Sequence, residues 1–541
     1  MADMKNLKIF NLISRNLLYA VSITVKEVFL MKHTKKLFAL LMSATLILGL
    51  AACGNSAANN TTSANTTTEQ VETTTDSGET SSNTANSTAS DVPGTPPNGQ
   101  SGPDGTPPGD PPQGGPEGTP PDGQGGPSGG PGGSSSADID YSGAVEITSA
   151  DTQSGNTYAS STTDESALLI STSDDVTIND PSVTKTGSSD GGDNCNFYGL
   201  NAAVLVKDGS KTTITGGTIT SDASGANGVF CYGGNGGRNG ADGDGTTVII
   251  RDTTIVTTGS GSGGIMTTGG GTTYAYDLDV TTSGQSSAAI RTDRGGGTVS
   301  VDGGTYTSNG LGSPAIYSTA DVSVANATLV SNLSEGVCIE GKNSITLTNC
   351  DMTANNTKCN GNATFFDTIM IYQSMSGDAD SGTSSFTMTG GSLTSKSGHV
   401  FHVTNTNAII TLSGVTISNE DSDNILLSVC DDGWSGAGNV ATLNASAQKL
   451  IGAIKVGDNS TLTMSLTNGS SFMGYVDGKI TNAAGTTVST EAGTVSVTLD
   501  SSSTWTLTGD SYVTEFNGDA SQIISNGYTL YVNGVALTGT K

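Results

Sequence analysis

From about Ala167 onward a short apolar strand followed by a glycine-rich turn keeps returning without being identical, and this repeat limits the possible folds most severely. Aligned, the strands read "AAVLVKDG" (202–209), "GVFCYGG" (228–234), "GIMTTGG" (264–270), "AAIRTDR" (288–294) and "PAIYSTA" (314–320). The series continues with "GVCIEGK" (336–342), "TIMIYQS" (368–374), "VFHVTNT" (400–406) and "ILLSVCD" (425–431). After each comes a second pair of strands, such as "TTITGGTIT", "GTVSVDGGTYT" or "SITLTNCDMT". The period of roughly 22 to 36 residues belongs to solenoids and repeat arrays. Each period holds three short alternating strands and no helical pattern.

A right-handed parallel β-helix fits this pattern, with one period per coil and strands of successive coils stacked about 4.8 Å apart. Roughly 11 or 12 coils make a rod of about 55 Å. Composition agrees: with Gly at 75 of 541 residues and aromatics at 5 %, only a narrow interior can be filled. Val229, Ile265, Ile290, Ile316 and Val337 are expected to stack inward as one ladder. Gly216, Asp252, Gly303, Asn326, Asn349, Gly390 and Gly414 fall at mid-coil turns, where left-handed backbone suits Gly, Asn and Asp. An antiparallel sandwich would instead show hairpin signals every 8–12 residues.

Ahead of the repeat the chain is of another kind. Residues 1–30 read as an upstream extension with translation starting at Met31, and 31–53 as a secretory signal. Lys32, Lys35 and Lys36 precede an apolar run from Leu37 to Ala52. Leu50-Ala51-Ala52-Cys53 resembles the lipobox of bacterial lipoproteins, which implies acylation of Cys53 and anchoring to the outer face of a bacterial membrane. Two or more acyl chains anchor stably where one does not. Residues 54–137 form a disordered tether: Ser, Thr, Asn and Ala first, then a stretch holding 13 of the 15 prolines. Such composition cannot offset its ordering entropy by burial. The remaining divisions are an N-terminal cap at 138–166, the β-helix at 167–500, and terminal coils with a cap at 501–541. Beyond Cys53 there are 14 Lys and Arg against 48 Asp and Glu. So acidic a surface argues against nucleic acid and against anionic lipid, leaving the acyl group as the only membrane contact.

The repeat resembles the pectate-lyase-like β-helix superfamily and the β-helix surface proteins of bacteria over nearly all of residues 140–541. Inward–outward alternation then converts the alignment into a surface map. With Ile290 and Thr292 inward, Arg291 and Asp293 face outward, beside Met266 and Tyr317 of neighbouring coils. Along the same sheet follow Phe230, Tyr232, Cys338, Glu340, Met370, Tyr372 and His402. Arg294 opens the turn after "AIRTDR", and the loop "CDDGWSG" adds Asp431, Asp432 and Trp434. The long segments 190–198, 233–245, 373–381 and 431–438 bound this sheet. Arg291, Asp293, Arg294, Tyr317, Glu340, Tyr372, His402, Asp431, Asp432 and Trp434 are therefore the candidate ligand-binding residues of a shallow groove. Aromatic faces cover sugar C–H groups while Arg and carboxylates bond hydroxyls. The plainer reading is a solvated sheet face, with Arg291–Asp293 an exposed pair worth under about 1 kcal/mol.

This reading makes the chain a surface adhesin or capture protein that binds extracellular polysaccharide or host glycan as a monomer. The alternative is a lyase or glycoside hydrolase working on an acidic polysaccharide in the same groove. Asp293 and Glu340 would then lie two coils apart, on the order of 9–10 Å, near the separation of inverting hydrolases. Arg291, Asp293 and Arg294 loosely resemble the Asp and Arg set of pectate lyases, without their paired-Arg motif. Asp431-Asp432 resembles the Asp pair of polygalacturonases, but Gly398-His399 is followed by Val400. A third possibility is a structural wall protein with no ligand. No cofactor is expected. Segments such as "SDGGDN" (189–194), "GADGDG" (240–245) and "SGDADSG" (376–382) offer oxygen ligands for Ca²⁺ without completing a calcium-loop consensus. Six Cys remain after Cys53, an even count that permits disulfides outside the cell. Cys350–Cys359 and Cys195–Cys231 are the reasonable pairs.

Overall fold

Main-chain pairing in the computed structural model, which describes residues 139–235 and 242–541, runs from each coil to the next. Three parallel sheets of 14, 13 and 10 strands result, the last followed by a sheet of 4 strands near the C-terminus. This is a parallel β-helix. Among the described residues only Ile480–Thr481 with Thr487–Ser489, and Leu530–Val532 with Val535–Ala536, pair antiparallel. A sandwich is thereby excluded. The signal segment, Cys53, the tether and residues 236–241 lie outside the described residues.

The expected ladder is present in register. Val229 pairs with Ile265, then Ile290, Ile316 and Val337 follow, and the column runs on through Ile369, Phe401 and Leu427. Every member is buried. Burying a branched aliphatic side chain gives about 1.5–3 kcal/mol, and the other sheets add parallel inward columns, such as Val248 and Val299 or Ile255 and Val280, to the same narrow core. All seven nominated turn residues hold positive φ, from 49° at Asp252 to 79° at Gly303. At Gly303 a Cβ would also lie 2.3 Å from Asp277 Oδ1, so a side chain there requires Asp277 to move.

A polar ladder lines another corner. The buried hydroxyls of Ser262, Ser287 and Ser313 accept the amides of Ala226, Ser262 and Ser287 in the preceding coil, at 2.8–2.9 Å. The same hydroxyls donate to Ala223, Gly259 and Gly284 carbonyls. Buried main-chain groups at a sheet corner must be paired somewhere, and the stacked serines do it.

Measured along the 14-stranded sheet, coil length varies from 19 residues (Ser496 to Glu515) to 41 (Ser344 to Ser385), wider than the spacing expected. Much of the extra length sits around the 13-stranded sheet. The cysteines also differ from expectation, because all six in the described residues are free. Cys231 and Cys350 point into the core between the sheets, where each thiol donates to carbonyls. Cys195 lies on a short helix outside the sheet, and Cys359 in a covering loop, so a sheet separates the members of each proposed pair.

Candidate functional site

The outward column of the 13-stranded sheet reads Phe230, Met266, Arg291, Tyr317, Cys338, Met370, His402, Ser428 and Lys455. Glu340 and Tyr372 pair one pleat further on. Arg291, Tyr317, Glu340, Tyr372 and His402 thus share one face, as alternation requires. That face is neither an open groove nor a solvated surface. Phe230, Met266, Met370 and His402 are all at most 3 % exposed, because long segments roof them. Five pairs of Lys or Arg with a carboxylate form among the described residues, and each, like the His402–Asp432 contact, lies on this sheet or at its end.

The roof has several parts. Helix Asp193–Tyr198 lays Phe197 and Tyr198 against Phe230, Tyr232 and Met266. Thr268 Oγ1 donates to the Phe197 carbonyl at 2.7 Å. Residues 373–382 form a strap across Glu340. Its carboxylate accepts Tyr317 OH at 2.6 Å, Tyr372 OH at 3.1 Å and the Ser374 hydroxyl. Strap residue Asp378 takes both Nε and Nη2 of Arg294 on one oxygen, at 3.1 and 2.6 Å. Arg294 itself lies over the Phe197 ring at 4.3 Å. Asp380 pairs with Lys342 at 2.9 Å. Trp434 closes the next section, 4.8 Å from Tyr372 ring to ring.

Under this cover the ionisable groups are perturbed. Arg291 bonds Asp293 at 2.9 Å and also reaches Asn196 Oδ1 and the Ser286 carbonyl. Burial nonetheless outweighs Arg291 and, with Asp378 and Glu340 adding repulsion, pushes the Asp293 carboxyl up to about 7. Burial, then the Glu340 charge, also raises Tyr317 and Tyr372 well above the usual phenol range. The two phenols therefore stay protonated and act as donors.

The other nominated residues gather further along the face. His402 Nε2 lies 3.3 Å from Asp432 Oδ2, and Asp432 Oδ1 accepts both the amide and the hydroxyl of Thr364. Burial raises Asp432, but His402, Thr364 and the Gly433 amide together hold it below the ordinary carboxylate value. Ser428 Oγ sits 2.7 Å from the Nδ1 atoms of both His402 and His399. Burial, and then the neighbouring His402, pushes His399 down to about 3. Ser428, His402 and Asp432 are the residue types of a nucleophilic relay, yet Ser428 is fully buried and the Phe365 ring stands 4.7 Å from His402. The set ties the covering loops to the sheet. Asp431 faces solvent and accepts from Asn439 at 2.6 Å. Sequence reasoning missed Asp378, Thr364, Ser428 and Phe197, although two of the four lie in segments already marked as long.

Open space lies at the end of the strands. A cleft of about 340 Å³ follows the C-terminal ends of strands Ile290–Thr292, Ile316–Ser318 and Val337–Glu340. Its walls include the main chain of Gly295, Gly296 and Gly297 with Thr298, Thr319, Asp321, Lys342 and Asn343. The three glycines have φ of 87°, 60° and 150°, and a Cβ on Gly295 would meet Asn235 O at 2.5 Å. The turn predicted to follow Arg294 at the groove's rim therefore forms a wall of the cleft. Among the described residues no group of three or more His, Cys, Asp or Glu side chains is arranged to hold a metal ion. The chain matches no family model, no curated protein and no solved structure among those compared with it, so its site is read from its own geometry.

Proposed function

We propose that this chain is a lipid-anchored, surface-displayed β-helix that captures extracellular polysaccharide or host glycan in the cleft beyond Gly295–Gly297. The observation that carries the proposal is the cleft's lining. It consists of hydroxyls, a side-chain amide, exposed main chain and the carboxylates of Asp242 and Asp321, and its lining cation, Lys342, is already paired with Asp380. A space of about 340 Å³ with convergent polar groups, whose carboxylates accept from hydroxyls and repel anions, suits a neutral polyhydroxylated ligand. The covered face behind it serves as the rigid support, which changes the expected role of Arg291, Glu340 and Tyr372 from contact to positioning. Anchoring through Cys53 and display on the tether complete the proposal and depend on residues 1–137.

A glycan panel of neutral and acidic oligosaccharides tests it. The wild-type chain binds members of the panel, and Asp321→Ala and the cleft-filling Thr298→Trp each weaken binding at least tenfold at an unchanged melting temperature. No binding across the panel, or binding indifferent to both changes, overturns the proposal. The catalytic alternative would use Asp293, which burial pushes up to about 7 and so keeps protonated as a general acid needs, but which lies beneath the cover and outside the cleft's lining. New reducing or unsaturated ends, abolished by Asp293→Asn, would establish that alternative.

A further inference from the structure

The cleft opens onto a second sheet. Strand Gly271–Tyr276 of the 14-stranded sheet begins beside Gly270, one of the cleft's lining residues. Its Gly271, Thr273 and Ala275 are buried, so Thr272, Tyr274 and Tyr276 point outward. At about 3.3 Å per residue, Tyr274 and Tyr276 stand about 13 and 20 Å from Gly270 along the strand. Tyr274 is 38 % exposed, and outside the last coils no other described aromatic ring is so open.

Strand register sets the neighbours of both rings. Tyr274 is flanked by Ile249 and Ser300, and Tyr276 by Arg251 and Asp302. The Arg251 guanidinium lies 3.8 Å from the centre of the Tyr276 ring. Asp302 accepts from Asn326 at 2.7 Å. Apart from this island the sheet's outward face carries mainly Ser and Thr, as at Thr213, Ser323 and Thr346.

We infer that the ligand is an extended oligosaccharide that leaves the cleft and lies lengthwise along this strand, with sugar faces on Tyr274 and Tyr276. The inference rests on the cleft reading and adds the ligand's length, its direction and two specificity-determining rings. Tyrosine side chains, with two torsions each, lose little freedom on binding and offer an apolar plane to C–H groups. Arg251 and Asp302 beside them supply a donor and an acceptor for ring hydroxyls. An extended peptide is a poor fit, because every strand here already has hydrogen-bonded neighbours on both sides and presents no free edge for strand addition. The surrounding hydroxyls likewise give an apolar helix no groove to fill.

Calorimetry with cellobiose and cellohexaose, xylobiose and xylohexaose, and chitobiose and chitohexaose tests the track. In any series that binds, the hexaose is expected to bind at least tenfold tighter than the biose. Tyr274→Ala should erase that gain and leave biose affinity unchanged, while Tyr274→Phe should retain it. Equal affinities within every binding series, or a gain that survives Tyr274→Ala with Tyr276→Ala, overturns the track and leaves the cleft standing. Failure of every biose and every hexaose overturns both.

Discussion

The 14-stranded and 13-stranded sheets share one core, yet their outer faces are opposites. On the first, alternate residues such as Thr213, Ser300, Ser323 and Thr346 stand in the open over buried Val and Ile. On the second, the equivalent outward positions hold Phe230, Met266, Arg291, Tyr317 and His402 beneath a roof of inserted chain. The difference shows where the molecule can afford complexity. An uncovered face must be polar to stay soluble, so it can be read from alternation alone. A covered face needs apolar and charged side chains matched to its cover, and the well-shielded Arg291–Asp293 and Arg294–Asp378 pairs lie there.

The comparison breaks first at the shared core. Ile290→Ala should cost about 2–5 kcal/mol, as for other large-to-small core changes. Thr346→Ala on the open face should stay within about 0.5 kcal/mol. Denaturant midpoints with matched slopes measure both, and similar costs would mean that the ladder is not the scaffold. The second test is pH. Asp293 has an ordinary value of 3.8, raised in the fold to about 7 by burial. Between those values the native state keeps a proton that the unfolded chain has released, so its contribution to stability falls as pH rises through the window. The loss amounts to at most about 4 kcal/mol. His399 acts oppositely: burial lowers it from 6.5 to about 3, so its contribution is lost as pH falls. Subtracting the stability of Asp293→Asn from wild type at each pH isolates the first effect, and a flat difference would place Asp293 in solvent-like surroundings. The smallest effect belongs to the strap's outer clamp. Lys342 and Asp380 are 44 % and 34 % exposed, so a double-mutant cycle should give a coupling below about 1 kcal/mol that salt reduces further.

The legibility of the sequence follows the same division. Strand registers, the ladder from Val229 to Val337 and the seven turn residues were readable because each depends on a period of two or on a backbone angle. The shared face of Arg291, Tyr317, Glu340 and Tyr372 was readable for the same reason. Its cover was not, since Asp378 meets Arg294 across 84 residues and Thr364 meets Asp432 across 68. No local pattern encodes such contacts. The cysteine pairs failed for a related reason: spacing along a coil does not reveal on which side of the sheet a thiol ends. Tyr274 and Tyr276 carry no local mark of a role, because they follow the same alternation as the hydroxyls around them.

The stacked serines carry a consequence for timing. Ser287 completes the amide of Ser262 and the carbonyl of Gly259, both in the coil before it, and Ser313 does the same for Ser287 and Gly284. Each corner is thus finished by residues that the ribosome adds about 25 positions later. A nascent coil keeps one buried donor waiting until its successor arrives. In these coils each corner is closed from behind, by the turn made after it.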